Sequence, residues 1–470
     1  MRRGLVLAVC CLSVGVTGVD ITIVNVALPS IAADLHASMS SLQWSVDAYT
    51  LVIACLLVFS GSLADRFGRK RIFQLGLTLF TLSSLLCGLA PGVGWLIGFR
   101  ALQAVGGSML NPVAMSIIVS VFTEPRERAR AVGVWGSAIG ITVAAGPVLG
   151  GVLVNAVDWR SVFWVNVPIG IAAVALTRAF VPESKAERPR AYDPPGQLLV
   201  IVLFASVIFA TIEGPRRSWE SPVIIGLYVL AALAVAGILA VESRRPQPLI
   251  DLRFFRSPPF AGANVISLAI SASLGGFLFL NTLYLQDVRH CSPLRAGLMI
   301  IPLAVGQAVA AHLSGRLVAA RRTRLPLVLG GALLAAGAFL LVPLTVHTPT
   351  AYLLTVYAAF GLGAGLVAPP ITTTAVSGLP RAQAGVAGAL ASTARQFGIA
   401  VGVAVTGSIV TGSIVTGSGE KFISASHAAW AVLGGCGLLA LLLGVVSTGS
   451  WARAAADRNG ERLAAGGADS

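Results

Sequence analysis

The chain is built from apolar blocks long enough to cross a lipid bilayer, a crossing that takes roughly 20 consecutive apolar residues. The blocks fall at about 6–28, 43–64, 72–90, 93–118, 131–154, 162–180, 197–213, 223–241, 258–285, 296–315, 325–345, 351–375, 384–412 and 428–450. This pattern points to an all-α integral membrane protein and leaves no place for a large soluble core. Helices are then the unit of organisation, fourteen by this count, and an even number puts both termini on one side. Only 11% of the residues are charged, against about 25% in a soluble domain. The 52 glycines suit close helix packing in lipid.

A net charge of +14 would suit a nucleic-acid binder, but the charges sit in loops between the blocks. Alternate loops and the termini carry 25 of the 33 basic residues, while the opposite loops carry 6 (Arg160, Arg216, Arg217, Arg289, Arg295 and Lys421). Arg100 and Arg395 lie inside spans. This asymmetry is a positive-inside signal, so both termini are expected in the cytoplasm of a multi-pass protein of the cell inner (plasma) membrane, with no nucleic-acid partner. The six cysteines show no metal-ligand spacing, and neither a disulfide nor a metal is expected. The start, Met1-Arg2-Arg3 and then an apolar run, is longer than a signal-peptide core and reads as a retained first helix. The residues after Ser450 read as a short polar tail.

Between the second and third blocks the chain reads Gly61-Ser62-Leu63-Ala64-Asp65-Arg66-Phe67-Gly68-Arg69-Lys70-Arg71. Its glycines permit a tight turn and its basic residues hold the loop in the cytosol; a generic basic loop would not account for Asp65 or the paired glycines. The first block contains Asp20-Ile21-Thr22-Ile23-Val24-Asn25-Val26-Ala27-Leu28-Pro29, and the fourth Arg100-Ala101-Leu102-Gln103-Ala104-Val105-Gly106-Gly107. The fifth carries Gly136, Gly140, Gly146-Pro147 and Gly150-Gly151, followed by Asp158-Trp159-Arg160, Trp164, Asn166 and Pro168. Together these stretches resemble the major facilitator superfamily, and within it the fourteen-helix drug:proton antiporter branch, over essentially the whole chain.

The resemblance implies a major facilitator fold. Its two six-helix bundles would span 1–180 and 258–450, with two extra central helices in 181–257 and a cytoplasmic tail at 451–470. It implies a gating loop formed by Gly61, Asp65, Arg66, Gly68 and Arg69, with Asp65 touching the cytoplasmic start of a second-half helix near Gln383, a contact favoured by the positive helix end. It also associates the Gly-Pro element of the fifth helix with antiport and export. The second-half counterpart of the loop keeps only Gly315-Arg316 and the basic cluster at 321–324, so two equivalent gates are not expected.

Asp20 is the sole charge between Gly4 and Asp34. An acidic group at that depth costs roughly 2.5–3.5 kcal/mol even on a lenient insertion scale, so it pairs, lines an aqueous path or binds a proton. At 100° per residue it shares a face with Ser13 and Thr17. Arg100, Gln103, Gly107 and Asn111 share a face of the fourth helix, and Gly388, Ser392, Arg395, Gly402 and Thr406 one of the thirteenth. Lipid would not tolerate such stripes, so they should face the interior. Asp20 and Arg100 both lie roughly 10–12 Å below the outer surface at about 1.5 Å per residue, close enough to meet. A static ion pair and a proton-exchanging carboxyl are both open. Asn25 faces away and reads as structural. Asp47, near the outer entrance of the second helix, reads as a solvated helix-end carboxylate, with a proton relay as the alternative. On the fifth helix Gly133, Gly136, Gly140, Ala144, Pro147 and Gly151 form a face with almost no side chains, either a packing seam or a sliding surface.

The reading that joins these features is a proton-motive-force-driven exporter of lipophilic or amphipathic drugs, antibiotics or toxic metabolites. It acts as a monomer in membrane lipid, with protons as the coupling ion and no cofactor. Asp20, Arg100, Gln103, Asn111, Asp47 and Arg395 form its proton-coupling and substrate set. Arg100 cannot give up a proton; it can only tune a neighbour that does. A proton-coupled importer of a small nutrient and a dedicated exporter of a self-made natural product stay open, because fold does not fix direction or substrate. A membrane enzyme is disfavoured: no phosphate loop, metal spacing or partnered nucleophile is present.

Overall fold

The computed structural model describes residues 3–185, 193–245, 251–320, 322–377, 384–414 and 419–466. In chain order they form α1 (Arg3–Leu35), α2 (Met39–Phe67), α3 (Arg69–Gly88), α4 (Val93–Val121), α5 (Pro125–Ala156), α6 (Ser161–Trp164) and α7 (Asn166–Phe180). Then come α8 (Pro194–Arg217), α9 (Pro222–Glu242), α10 (Pro258–Leu283), a π turn (Tyr284–Val288), α11 (Pro293–Met299) and α12 (Ile301–Ala319). The last are α13 (Arg324–Leu340), α14 (Thr350–Ala375), α15 (Ala384–Ile414), α16 (Gly419–Ser447) and α17 (Ser450–Gly466).

Each apolar block is helical, which is the only way an isolated segment can satisfy its own backbone in hydrocarbon. Among the described residues, 12 helical stretches are long and apolar enough to cross a membrane. Two others, Ala145–Ala156 within α5 and α13, are apolar but shorter.

Local chemistry sets the ends. Ser38 begins α2 by accepting from the Ser41 amide, and Glu124 begins α5 by accepting from the Glu127 amide, with Pro125 in the first turn. Asp193 does the same for α8 ahead of Pro194. The turn between α2 and α3 is a single residue, Gly68, at φ 113°. An L side chain rarely adopts that conformation.

The chain divides into two compact units. The first comprises Met1–Tyr192 with Asn281–Ile301; in it α1 packs along α5, and α4 against α2 and α3. The second comprises Asp193–Leu280 with Pro302–Ser470; α13 packs between α14 and α16, and α8 between α9 and α15. Phe204 of α8 stacks on Phe397 of α15 with ring centroids 4.0 Å apart. Only 22% of the apolar window of α9 is buried, against 83% for the span Pro258–Val288, so most of α9 is left uncovered by the rest of this chain.

The polar segment after the last apolar block is helical. Residues Ser450–Gly466 form α17. Ala452 and Ala456, one turn apart, are buried, and the Asn459 amide donates to the Arg253 carbonyl at 3.1 Å. The charges that mark the segment as polar hide an alanine-rich stretch with high helix propensity and one small buried face.

Candidate functional site

The first unit closes around Asp20. Its carboxylate, with no exposed surface, lies 2.5 Å from Arg100 Nη1. Its other oxygen accepts from Gln103 Nε2 at 2.9 Å and from Asn166 Nδ2 at 3.1 Å. Arg100 Nη1 also donates to Gln103 Oε1 at 2.7 Å, and its Nε donates to the Ser45 carbonyl at 3.2 Å. Gln103 Nε2 reaches Ser84 Oγ at 2.7 Å. The guanidinium carbon sits 4.2 Å from the centre of the Tyr49 ring and 5.7 Å from that of Phe163, within cation–π range. Residues of α1, α2, α3, α4, α6 and α7 thus meet at one buried charge pair.

Such a pair is strongly interdependent. Two charges withdrawn from water gain from one another only when the geometry is good and the remaining donors and acceptors are satisfied; removing one partner then costs about 3–5 kcal/mol. The cluster therefore positions six helices as well as two charges. Asp20, Arg100 and Gln103 come together as their helix faces required. Asn166 entered the sequence reading only as part of the stretch after the fifth block and not as a site residue; Ser84, the Ser45 carbonyl and Tyr49 did not enter it. The signal for Asn166 is its place as an amide inside the apolar run from Ser161 to Pro168.

Other sequence-predicted residues stand apart from this cluster. Asn111, three turns further along α4, has a buried Oδ1 that accepts no hydrogen bond. Asn25 donates to the Ile21 carbonyl at 3.2 Å within its own helix. Asp47 is not the solvated helix-end carboxylate expected. It is fully buried, and neither carboxylate oxygen has a hydrogen-bond partner. The expectation failed because α2 begins at Met39, which puts Asp47 more than two turns inside the helix. Arg395 belongs to the second unit, where it is exposed and lines a cavity.

The loop motif is held within the first unit. Asp65 pairs with Arg69 at 3.1 Å, one turn away. The segment after α7 crosses the same turn: Glu183 Oε1 accepts from the Lys70 amide at 3.1 Å, the Ser184 carbonyl from the Arg69 amide at 2.9 Å, and the Arg178 carbonyl from Lys70 Nζ at 2.9 Å. Glu183 thus caps the amino terminus of α3, where a carboxylate is favoured. Gly61 and Arg66 flank this turn on α2. The expected contact near Gln383 lies outside the described residues.

The glycines of α5 serve two faces. Gly146 and Gly150 lie against Thr22 and Ile23 of α1, while Gly151 meets the backbone of Pro293 and Leu294 at the start of α11. Gly297 of α11 in turn abuts the Pro147 backbone. A side chain at any of these glycines would force the helices apart. Gly133 and Gly136, toward the other end of α5, have no neighbour within 4 Å of the place a β-carbon would take. The small-residue face is therefore packed in the carboxy-terminal half of α5 and uncovered within this unit in the other; the surroundings of the Gly140 side are outside the described residues.

The Major Facilitator Superfamily model matches residues 10–403. The chain belongs to that superfamily. It is 37% identical over 390 residues to the multidrug resistance protein Stp of Mycobacterium tuberculosis, covering 83% of this chain and 72% of that protein. It is 35% identical over 391 residues to the methylenomycin A resistance protein of Streptomyces coelicolor, covering 83% and 82%. Its fold resembles the crystal structure of a bacterial homologue of the human lysosomal transporter Spinster, with a TM-score of 0.62 at 19% identity, covering 98% and 97% of the chains. In this superfamily member the buried ion pair, the strapped loop and the glycine-lined helix belong to a multi-pass membrane transporter.

Proposed function

We propose that this transporter is a proton-driven exporter of amphipathic drugs, antibiotics or toxic metabolites in the plasma membrane. In this reading it has fourteen spans and cytoplasmic termini, and α5 and α13 cross despite their shorter apolar windows. The resistance names of its relatives support export. The observation that carries the coupling mechanism is the Asp20 cluster: an acidic group, wholly enclosed by donors from several helices, that helix movement would uncover.

With Asp20 bonded to Arg100, the carboxylate is occupied and offers no oxygen to a proton or a cationic substrate. Movement of α1 against α4 separates the pair and frees Asp20 for a proton from outside. Its loss to the cytosol lets the ion pair re-form. Asp47, buried without a donor, is a second proton site on the neighbouring α2. One proton moving inward yields about 2.3 kcal/mol per 100 mV. That sustains roughly a fifty-fold gradient of a neutral substrate, at tenfold per 1.4 kcal/mol.

Inverted membrane vesicles test this directly. Acidifying the lumen should drive accumulation of dyes or antibiotics by the wild-type protein. Asp20→Asn, compared at equal amounts of protein in the membrane, should lose the acid-driven component. Wild-type accumulation by Asp20→Asn would reject Asp20 as the coupling group, and uptake only into right-side-out vesicles would reject export.

A further inference from the structure

The second unit holds an intramembrane charge in a different setting. Arg395 of α15 is exposed to a cavity of about 140 Å³ walled by α10, α12, α14 and α15. Its polar neighbours there are Ser267 and Ser271, Gln307, Thr372 and Ser392, between Ile270, Leu274 and Ile371. No acidic residue lines the cavity, and among the described residues Arg395 forms no ion pair. Ser267 donates to the Ala391 carbonyl at 3.1 Å. Ser271 is only 7% exposed, and neither its hydroxyl nor the Gln307 amide hydrogen-bonds to another described residue.

An arginine offers five N–H donors in a planar fork and no acceptor. A charge within a span is sustained by a partner or by what enters its cavity. Here the protein supplies further donors and no carboxylate. The matching ligand group is a planar oxyanion such as a carboxylate, which takes paired hydrogen bonds from a guanidinium. A cation would meet like charge. A whole drug-sized ligand fills roughly 300–1,000 Å³, so this cavity takes the head of a molecule whose apolar body lies beyond it.

We infer that the cavity is the docking point for the acidic head of the transported molecule and that Arg395 determines specificity for amphipathic oxyanions over cations. Its place in a transport cycle rests on the exporter reading; the binding preference does not. Two xanthene dyes, anionic fluorescein and cationic rhodamine 6G, separate charge from shape. Anisotropy titrations of the purified full-length protein at pH 8 should give fluorescein at least a tenfold tighter Kd. Arg395→Gln should weaken fluorescein tenfold or more and leave rhodamine 6G unchanged or tighter, while Arg395→Lys restores part of the loss. Equal or tighter binding of rhodamine 6G by the wild-type protein overturns the inference whether or not the variants fold. So does wild-type fluorescein affinity in a monodisperse Arg395→Gln protein. Selective fluorescein binding without acid-driven uptake of either dye upholds the site and removes the exporter reading. Acid-driven rhodamine 6G uptake without fluorescein binding does the reverse.

Discussion

Arg100 and Arg395 are both intramembrane arginines on stripes of small and polar residues, yet their surroundings are opposite. Arg100, 1% exposed, spends its donors on Asp20, Gln103 and the Ser45 carbonyl and lies against the Tyr49 ring. Arg395 is exposed to a cavity and makes no ion pair among the described residues. One guanidinium is a component of the helix packing; the other keeps its donors available. A charge inside a span therefore does not by itself mark a coupling site or a substrate site. The distinction is whether the protein or the cavity answers the charge.

Thermal unfolding of the purified protein can break this comparison. Arg100→Gln strands Asp20 in the packed interior, and the expected loss is about 3–5 kcal/mol, with part of it recovered when Asp20→Asn is added. A loss no larger than that of Arg395→Gln would end the claim that the two arginines differ. A smaller effect is expected at the strap on the first unit. Gly68→Ala places a methyl where φ is 113° and where Glu183 Oε1 would stand 2.7 Å away. Strain of that kind is worth about 1–3 kcal/mol, and unchanged unfolding would show that the turn relaxes freely. The smallest effect belongs to Arg395→Gln, expected within about 0.5 kcal/mol as for a site outside the packed core. A larger destabilisation would reveal a structural partner for this arginine and weaken its assignment to a ligand.

Much of the site was legible in the sequence because helical period and depth are nearly one-dimensional quantities. Counting at 100° per residue put Arg100 and Gln103 on one face, and counting rises from the outer surface put Asp20 level with Arg100. The same arithmetic placed Asn111 on that face but not at that depth, and it stands outside the cluster. The glycines of α5 were read as one face through Gly133, Pro147 and Gly151; the structure shows Gly146 and Gly150 making a second, against α1. Asp47 lies deeper than expected because α2 begins at Met39, which puts it more than two turns inside the helix, where its burial depends on the helices packed around it. The sequence reading left the conformation of the tail open; its alanines carry the helix α17.

The sequence by itself determined that this is a membrane protein of many helices and that a few polar groups inside the spans must face away from lipid, since hydropathy and helical period act over one or two turns. Only the tertiary structure decided which groups meet. Asn166 reaches Asp20 across 146 residues and the Ser45 carbonyl reaches Arg100 across 55. Hydrogen bonds need ångström-level alignment between helices, and that alignment is set by packing along the whole length of each helix.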